Sequence, residues 1–353
     1  PHDRSPPRCD RDVTLRHLGG EDGARMRYSQ SFKFGPPKAL VMTTSDALPV
    51  EAAVSVEERP TRPRVWRAFL RPVPLAAAIL VTASLLAAVF APQLSALSGN
   101  DPFTYHPETL GPDTSPEGAL GGVSAQHWFG VEPGTGRDLF SLVIHGARVS
   151  LLVGIASTVL ATLVGVVLGV VAGAVGGVVE KLVNFATDIT LGFPFLIFAI
   201  ALSALFPLEA PRALLLTLVI GMFGWPGIAR VVAAETRVIV RQPYVVASRV
   251  MGARFPHVFR HQVLPNVAST VIVYSCISLP GRISAEATLS FLGVGVLPPT
   301  PSWGRSIGDA ISWLLVDPSF LLFPAAALFL VTFSFNILGD TLRDALDPRG
   351  GRS

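Results

Sequence analysis

Long, uninterrupted runs of apolar residues constrain this chain more than any other feature of its sequence. Six blocks, at about 74–97, 149–179, 182–206, 213–234, 267–289 and 320–338, each contain about 20 residues or more with few charges. A helix of about 20 apolar residues crosses ~30 Å of hydrocarbon, where only helices and closed barrels satisfy all backbone polar groups. The blocks therefore predict an all-α membrane protein with six transmembrane helices.

The composition supports the same class. Of the 353 residues, 50% are hydrophobic and 15% are charged, and the mean hydropathy is +0.51. These values exclude a disordered protein and argue against a soluble enzyme. The formal net charge of +3 is too small to indicate nucleic-acid binding. The only two cysteines, Cys9 and Cys276, are too far apart in the sequence to suggest a disulfide framework.

The N-terminal region divides into a tail and a first span. Residues 1–60 are rich in Pro, Arg, Asp, Glu and Ser without apolar periodicity, which predicts a disordered tail. Met26 and Met42 are candidate natural starts, so part of this tail is a candidate non-native extension. In the segment 61–97, arginines precede the apolar block, which fits either a cleaved secretory signal or a retained helix. The block runs about 24 residues, longer than the apolar part of a signal, and this favours a retained helix.

The distribution of arginines predicts how the chain is oriented. Five arginines precede the first span and five more lie in the loop 235–266, whereas residues 98–147 carry six acidic residues and one arginine. Because Lys and Arg accumulate on the cytoplasmic side of membrane proteins, we expect the loop 235–266 and both termini in the cytoplasm. The segment 98–147 is then an extracytoplasmic loop, 148–340 is the transmembrane core, and 341–353 is a cytoplasmic tail.

The second apolar block has a small residue at every fourth position, and these residues are Ala161, Gly165, Gly169, Gly173 and Gly177. Residues at this spacing share one face of a helix, and a face of small residues lets another backbone approach closely. Two uses remain open: helix packing within the chain, which is favoured, and a dedicated subunit interface.

Familiar catalytic and nucleotide-binding motifs are absent from the sequence. A phosphate-binding loop needs Gly-Lys-Ser/Thr, but the three lysines, Lys33, Lys38 and Lys181, follow Phe, Pro and Glu. There is no HExxH, CxxC or GxSxG, and the seven histidines are not spaced as metal ligands. The sequence therefore predicts neither an enzyme nor a cofactor or metal site.

The loop 235–266 carries the most informative local pattern. Pro243 fits a first helical turn, Gly252 can adopt the left-handed conformation that ends a helix, and Pro256 can begin the next one. We therefore expect two short helices around Gly252. Their expected surface is compact, mostly apolar and flanked by arginines, and comprises Tyr244, Val245, Ala247, Ser248 and Met251. Such a surface on a water-exposed loop indicates a protein partner.

The same loop brings a family resemblance. The spacing Ala247-x4-Gly252-x8-His261-x2-Leu264-Pro265 resembles the cytoplasmic coupling loop, or EAA motif, of ABC-importer permeases. The chain is more closely similar to permeases of the dipeptide, oligopeptide and nickel importer family. Supporting runs occur in family order over residues 129–349 and include Gly136-Arg137-Asp138, Gly192-Phe193-Pro194, Trp225-Pro226-Gly227, Glu286-Ala287-Thr288-Leu289-Ser290-Phe291-Leu292-Gly293 and Asn336-Ile337-Leu338-Gly339-Asp340.

The resemblance implies the fold and the partners. It implies a type I importer permease in the bacterial plasma membrane that imports di- or oligopeptides and has no ATPase site of its own. Its partners would be the lipid bilayer, a second homologous permease subunit, two ABC ATPase subunits and an extracytoplasmic substrate-binding protein. The implied ATPase-coupling residues are Tyr244, Val245, Val246, Ala247, Ser248, Arg249, Gly252, Ala253, His261, Leu264 and Pro265. Val246 and Ser248 depart from the family pattern, which has an acidic residue and a second alanine there.

Several polar residues leave alternatives open. Glu286, near the far end of the fifth span, either lines the translocation path and binds a substrate amine or, as favoured, is a structural carboxyl between helices. Asp188 is expected to be paired or snorkelling rather than part of a proton relay. His261 is expected to pack within the loop rather than bind a metal.

The segment 303–316 predicts a short amphipathic helix that cannot span the membrane. Its apolar positions are Trp303, Ile307, Ala310, Ile311 and Leu314. On the extracytoplasmic side it would either pack over the last two spans, which is favoured, or lie at the membrane surface and dock a binding protein.

The main functional alternatives are a permease for nickel or another small solute and, less favoured, an ion-driven secondary transporter. The second would need several intramembrane charges or paired interrupted helices, and the sequence shows only isolated candidates.

Overall fold

The computed structural model describes residues 68–207 and 210–346, which form an almost entirely helical bundle. Its helices are α1 (Pro72–Val89), α2 (Ala91–Leu97), α3 (Leu139–Val175), α4 (Gly177–Gly192), α5 (Phe195–Leu205), α6 (Arg212–Ile239), α7 (Pro243–Val250), α8 (Phe255–Val258), α9 (Leu264–Phe291), α10 (Trp303–Ala310) and α11 (Pro318–Leu346). Within the described ranges, β pairing is confined to two isolated bridges. The tail predicted to be disordered, 1–60, lies outside the described residues.

The chain crosses the bundle six times. Five segments are long and apolar enough to span a membrane: α1, α3, α6, Phe255–Phe291 and α11. The pair α4–α5 qualifies only as a unit, and it bends by 82° at its break. Helices α3 and α6 run in the same direction, because Gly165 of α3 meets Ile228 of α6 and Gly173, further along, meets Thr236. The α4–α5 pair between them must therefore return the chain across the bundle, which makes the sixth crossing.

The helices begin and end at proline, glycine and capping residues, and these ends differ from the ends of the apolar blocks. The first block divides after Val89, and α2 carries Pro92 in its first turn, where the missing N–H costs no hydrogen bond. Helix α3 begins at Leu139 rather than at 149, because the Asp138 carboxylate accepts a hydrogen bond from the Ser141 N–H at 2.8 Å and caps the helix. It ends at Val175, where Gly176 adopts a φ of 68°. Gly177 therefore lies outside the helix whose small-residue face was expected to include it.

The contact between α3 and α6 forms the centre of the bundle. A Cβ atom added to Gly169 would lie 2.6 Å from the Ala229 carbonyl oxygen, and one added to Gly173 would lie 2.5 Å from that of Ala233. The two backbones thus approach at distances that exclude any side chain. We refer to Gly165, Gly169 and Gly173 as the glycine seam. Ala161 extends it and meets Gly224.

Helix α9 runs antiparallel to α3 and contacts three other spans. Its Ile283 covers Gly154 of α3, and its Ile277 covers Gly339 of α11 with a Cα atom 3.3 Å from the position of an added Cβ. Helix α1 packs against α3 and α11 through a buried apolar cluster, which comprises Ala88, Ala147, Leu151, Ile283, Trp303 and Val331.

Residues 98–138 and α10 close one end of the bundle, here called the cap end. A buried Arg137–Glu132 ion pair, with hydrogen bonds of 2.6 and 2.9 Å, holds this segment. Helix α10 sits on α9, α11 and α3, and its Trp303 indole N–H donates to the Val143 carbonyl at 2.9 Å. This is the packed arrangement that the sequence favoured for this helix, although α10 ends at Ala310. The opposite end, here called the loop end, carries the segment 240–263 between α6 and α9.

We predict that Gly169→Leu prevents stable folding, because a side chain at this position collides with the Ala229 carbonyl and with Val232 on a rigid partner helix. Overpacking of a rigid contact costs typically 1–3 kcal/mol and more when backbone is involved. Purified protein should show a lower yield of monodisperse material and a lower unfolding midpoint. The control is Val167→Leu on the exposed side of α3, which should behave like the unaltered chain. Normal stability of Gly169→Leu contradicts the assignment of the seam.

Candidate functional site

The loop end presents a compact helical elbow between two spans. Helices α7 and α8 follow α6, and a short π-helical segment, Phe259–Val263, leads into α9. Gly252 stands between α7 and α8 with a φ of 93°, a value that favours glycine. Pro243 and Phe255-Pro256 lie in the first turns of α7 and α8. The structure thus contains the two short helices that the sequence predicted around Gly252.

One side of this elbow is buried against the spans. Val245 of α7 is completely buried, and it joins an apolar cluster made of Val170, Ile228, Val232, Ile239, Val245, Val258, Val263 and Val267. The cluster, here called the loop anchor, contains residues of α3, α6, α7, α8 and α9. Val245 was expected on the outward apolar surface, and this expectation is wrong. Val245 lies in the first turn of α7, where its side chain faces the bundle. It therefore packs against α3, α6 and α9 and is not exposed to solvent.

The other side of the elbow exposes a different set of apolar side chains. Val250 is 84% exposed and Met251 is 82% exposed, and Tyr244, Val246 and Phe255 are about half exposed. Val250 and Phe255 were missed by the sequence reasoning. The spacing of four residues between Val246 and Val250 on α7 was the signal that could have identified Val250. We call Val246, Val250 and Met251 the apolar knob, and exposed arginines flank it in the sequence.

The remaining predicted loop residues occupy varied positions. Ala247, Arg249, Gly252, His261, Leu264 and Pro265 are exposed, and Ser248 and Ala253 are half-buried. The His261 ring stacks on His257 with centroids 4.5 Å apart, and its Nδ1 lies 3.1 Å from the His257 carbonyl oxygen. These contacts fit the packing role expected for His261. Within the described residues, no three His, Cys, Asp or Glu side chains converge as metal ligands.

Glu286 is buried completely within this chain. Its Oε1 accepts a hydrogen bond of 2.7 Å from the Ser290 hydroxyl one turn along α9, and Ser150 and Ser302 lie near the same carboxyl, whose Oε2 has no hydrogen-bond partner within the described residues. Those serines belong to α3 and to the N-cap of α10. The geometry therefore favours the interhelical structural carboxyl over a residue that lines the path.

Two ion pairs connect α4 with α6 toward the loop end. Asp188 pairs with Arg230, and Glu180 pairs with Arg237. The pairing fits the expectation that Asp188 is not a lone carboxylate. The side chains of Arg230 and Asp188 remain 50% and 66% exposed. Since such charges avoid lipid, this face of α6 must meet water or protein.

The sequence reasoning also missed Arg282 in α9. This arginine is buried at the junction of α3, α6 and α9, and its guanidinium donates to the Gly224 carbonyl oxygen at 3.2 Å. Its position inside an apolar block was visible in the sequence, and attention to intramembrane charges of both signs would have identified it.

At the cap end, the outer side of α10 carries an Arg305–Asp309 ion pair of 3.2 Å. Burial raises the pKa of the Asp309 carboxyl, and the Arg305 guanidinium works in the opposite direction. Beyond α10, Ile311, Leu314 and Leu315 are exposed. This apolar edge is available to a membrane surface or to a protein.

The membrane-spanning helices of the bundle define the class of a multi-pass integral membrane protein. The chain belongs to the family of binding-protein-dependent transport system inner membrane components, whose sequence profile matches residues 165–351. It is therefore a multi-pass inner-membrane permease component of an ABC importer, as the sequence resemblance implied.

Relatives of this chain include glutathione transport system permease proteins named GsiD. The chain is 38% identical to the protein of Salmonella paratyphi A, 36% to that of Shigella flexneri serotype 5b and 34% to that of Escherichia coli O6:K15:H31. Each match covers 80% of this chain and 89% of the relative. A solved chain of the MetNI methionine ABC transporter in inward-facing conformations matches 59% of this chain and 98% of its own length, with 17% identity and a TM-score of 0.46. That structural similarity is too low to support an argument.

We predict that Glu286→Ala destabilises the protein, because it leaves the Ser290 hydroxyl without its acceptor in a buried site. An unsatisfied buried polar group costs about 1–3 kcal/mol. The yield of assembled transporter and the unfolding midpoint should fall, and Glu286→Gln, which keeps an acceptor of the same shape, should fall less. Uptake per assembled transporter should stay unchanged. Full assembly with lost uptake indicates instead that Glu286 serves the translocation path.

Proposed function

We propose that this chain is one permease subunit of an ATP-driven importer of short peptides. A second homologous permease supplies the other half of the translocation path, two ABC ATPases bind at the loop end, and a binding protein delivers substrate at the cap end. The observation that carries this proposal is the exposed apolar knob of Val246, Val250 and Met251 in a chain of this family. Exposed apolar side chains rimmed by charges are typical of a protein interface.

The loop anchor explains how a partner's movement can reach the spans. Val246 and Val250 of the knob lie on the same short helix α7 as Val245, Met251 follows as its C-cap, and Val245 is packed among side chains of α3, α6 and α9. Because packed apolar interiors transmit displacement rather than absorb it, a push on the knob moves α7 and the spans together. Closure of the ATPases would thus shift the spans and change which side of the path is open.

Charge supports the proposed orientation. The exposed arginines Arg241, Arg249, Arg254 and Arg260 lie in the same loop as the knob, and the cap contains Asp101, Glu108 and Asp113. The loop end and both chain termini therefore lie in the cytoplasm under this proposal, and the cap lies on the extracytoplasmic side. Val246, where the family has an acidic residue, adds apolar area to the knob and removes a polar contact to the ATPase.

The substrate class is inferred from the relatives. The GsiD proteins are named as permeases of a glutathione transport system. Glutathione is a tripeptide with free carboxylates and an ammonium group. A chain covering most of a GsiD sequence at this identity is therefore proposed to pass short peptides of the same chemical class.

Uptake by the complete transporter tests this substrate class. Proteoliposomes that contain both permeases, the ATPases and the binding protein should accumulate glutathione or tri-alanine with ATP and not with a non-hydrolysable analogue. Ni²⁺ should not compete with the peptide. Uptake of Ni²⁺ without peptide uptake overturns the peptide assignment, and accumulation by this chain alone without an ATPase overturns the permease assignment.

We predict that Val250→Asp prevents binding of the ATPase subunits while the permease still folds. A charge in the apolar knob must be desolvated on docking, which costs several kcal/mol when it is unpaired. Affinity purification through a tag on this chain should recover at least about tenfold less ATPase, with the second permease retained.

The matched control for this prediction is Val178→Asp. Val178 begins α4, is 81% exposed and also lies at the loop end, but it is outside the knob. Equal recovery of the ATPases with both variants, or loss of the second permease along with the ATPases, counts against the knob as the docking surface.

A further inference from the structure

Arg282 is a buried charge at membrane depth without an ionic partner in the described residues. It lies nine residues before the end of α9 at Phe291, about 14 Å along the helix, and it is 7% exposed. The guanidinium donates to the Thr158 hydroxyl at 3.4 Å, to the Ser278 hydroxyl and to the Gly224 carbonyl oxygen at 3.2 Å. Its Nε has no hydrogen-bond partner. None of the ion pairs within 68–207 and 210–346 includes Arg282.

The surroundings of Arg282 satisfy hydrogen bonds but do not neutralise its charge. A guanidinium stays protonated in proteins, and a charge within the bilayer is costly unless an anion or water accompanies it. Hydroxyl and carbonyl oxygens replace only part of the lost hydration. Within residues 68–207 and 210–346 no carboxylate pairs with Arg282, so the solute that passes through the transporter can supply an anion to it.

Arg282 lies beside α6, at the edge of the contact between α6 and α3. A Cβ atom added to Gly224 would lie 2.7 Å from the Arg282 Nη2 and 3.1 Å from the Ala161 Cβ, so Gly224 marks the edge of the contact with α3. About one turn further along α6, the Tyr274 hydroxyl covers Gly227. Because Gly224 and Gly227 have no side chain, the polar groups of Arg282 and Tyr274 from α9 can lie against α6. They do so next to the side of α6 that α3 does not cover.

Further charged groups continue along α6 toward the loop end. Arg230 pairs with Asp188, and Arg237 pairs with Glu180. From Gly224 to Arg237 the polar groups follow α6 for about 20 Å. We call Arg282, Tyr274 and these two ion pairs the polar strip.

The polar strip has an unbalanced charge at its end nearer the cap. The two arginines of α6 are matched by carboxylates of α4, whereas Arg282 is matched by none; Glu235, the carboxylate of α6, lies about 16 Å further along the helix toward the loop end. The Arg230–Asp188 pair is half exposed at membrane depth, where lipid is an unfavourable neighbour. A water-containing path along the strip therefore accounts for the exposed pair and for the unneutralised arginine together.

We propose that Arg282 is a substrate-binding residue of the translocation path and that it binds the C-terminal carboxylate of a short peptide. This inference rests on the proposed peptide-permease function. A carboxylate matches the guanidinium in shape and accepts two parallel hydrogen bonds, which are about twice as strong as those to neutral oxygens. It can therefore replace the Thr158 and Ser278 hydroxyls as acceptor once movement of the spans opens the junction.

A comparison of two peptides tests the assignment in the complete transporter. Uptake of tri-alanine and of its C-terminal amide is measured in proteoliposomes with the unaltered chain and with Arg282→Gln. The same binding protein serves both preparations, so its own preference cancels when the acid-to-amide uptake ratios are compared. We expect this ratio to fall about tenfold or more in Arg282→Gln, because only the free acid loses a charge-assisted pair. Arg212→Gln is the control and should leave the ratio unchanged, since Arg212 donates to the Ser203 and Pro207 carbonyls at the far end of α6.

The alternative outcomes are distinct. An equal fall in the uptake of both peptides indicates a structural arginine or a carboxylate of the second permease, and it overturns the inference. An unchanged ratio also overturns it. Should Arg282→Gln fail to assemble, Arg282→Lys decides. Lysine keeps the charge but cannot make the bidentate contact to a carboxylate, so a lowered acid-to-amide ratio supports carboxylate binding. An unchanged ratio contradicts it. If the unaltered transporter takes up neither peptide, the proposed function itself fails, and this inference fails with it.

Discussion

The close contact between α3 and α6 determines the arrangement of the other spans. Along the glycine seam, the backbone of one helix touches the backbone of the other, so their separation and their relative direction are fixed with little freedom. Because the two helices are parallel, the α4–α5 pair has to cross back outside them. Helix α9 fits against α3 on the other side, and α11 and α1 follow. One side of α6 is left uncovered by this order, and the polar strip lies along it.

Two mechanical properties follow from this arrangement. The glycine seam and the loop anchor share two residues of α6, because Ile228 and Val232 contact the seam glycines and also belong to the anchor. A displacement of α7 is therefore passed to α6 and α3 as a unit.

Helix α4 is held differently, because Thr187 is its only buried residue and its main polar links to α6 are two ion pairs. Exposed ion pairs break and re-form at low cost, so α4 is the span that can separate from α6 most easily.

The sequence was sufficient for the membrane class, the number of crossings and the two helices of the loop, because these depend on block length and on proline and glycine positions. It failed where three-dimensional packing decides. Val245 and Val250 are the same residue type five positions apart. One is buried and the other is exposed, because only Val245 faces the bundle. Similarly, apolar content could not show that Pro92 divides the first block or that α3 begins at Leu139, because a cap acts through one hydrogen bond. Arg282 was overlooked because one charge hardly alters the hydropathy of a 28-residue helix.

The two buried charged groups of α9 illustrate why position matters more than residue type. Glu286 and Arg282 are one turn apart, yet no ion pair joins them; both lie beside α3, but Arg282 also contacts α6 and Glu286 lies near the N-cap of α10. Glu286 is surrounded by serine hydroxyls of α3, α9 and the α10 N-cap, within a part of the bundle that the cap closes. Arg282 faces the edge of the α3–α6 contact, next to the uncovered side of α6. A carboxyl in the first environment is enclosed by neutral hydroxyl groups and by the cap, away from the uncovered side of α6. A guanidinium in the second keeps a charge that its neutral neighbours do not cancel, and this difference separates a structural group from one available to a passing anion.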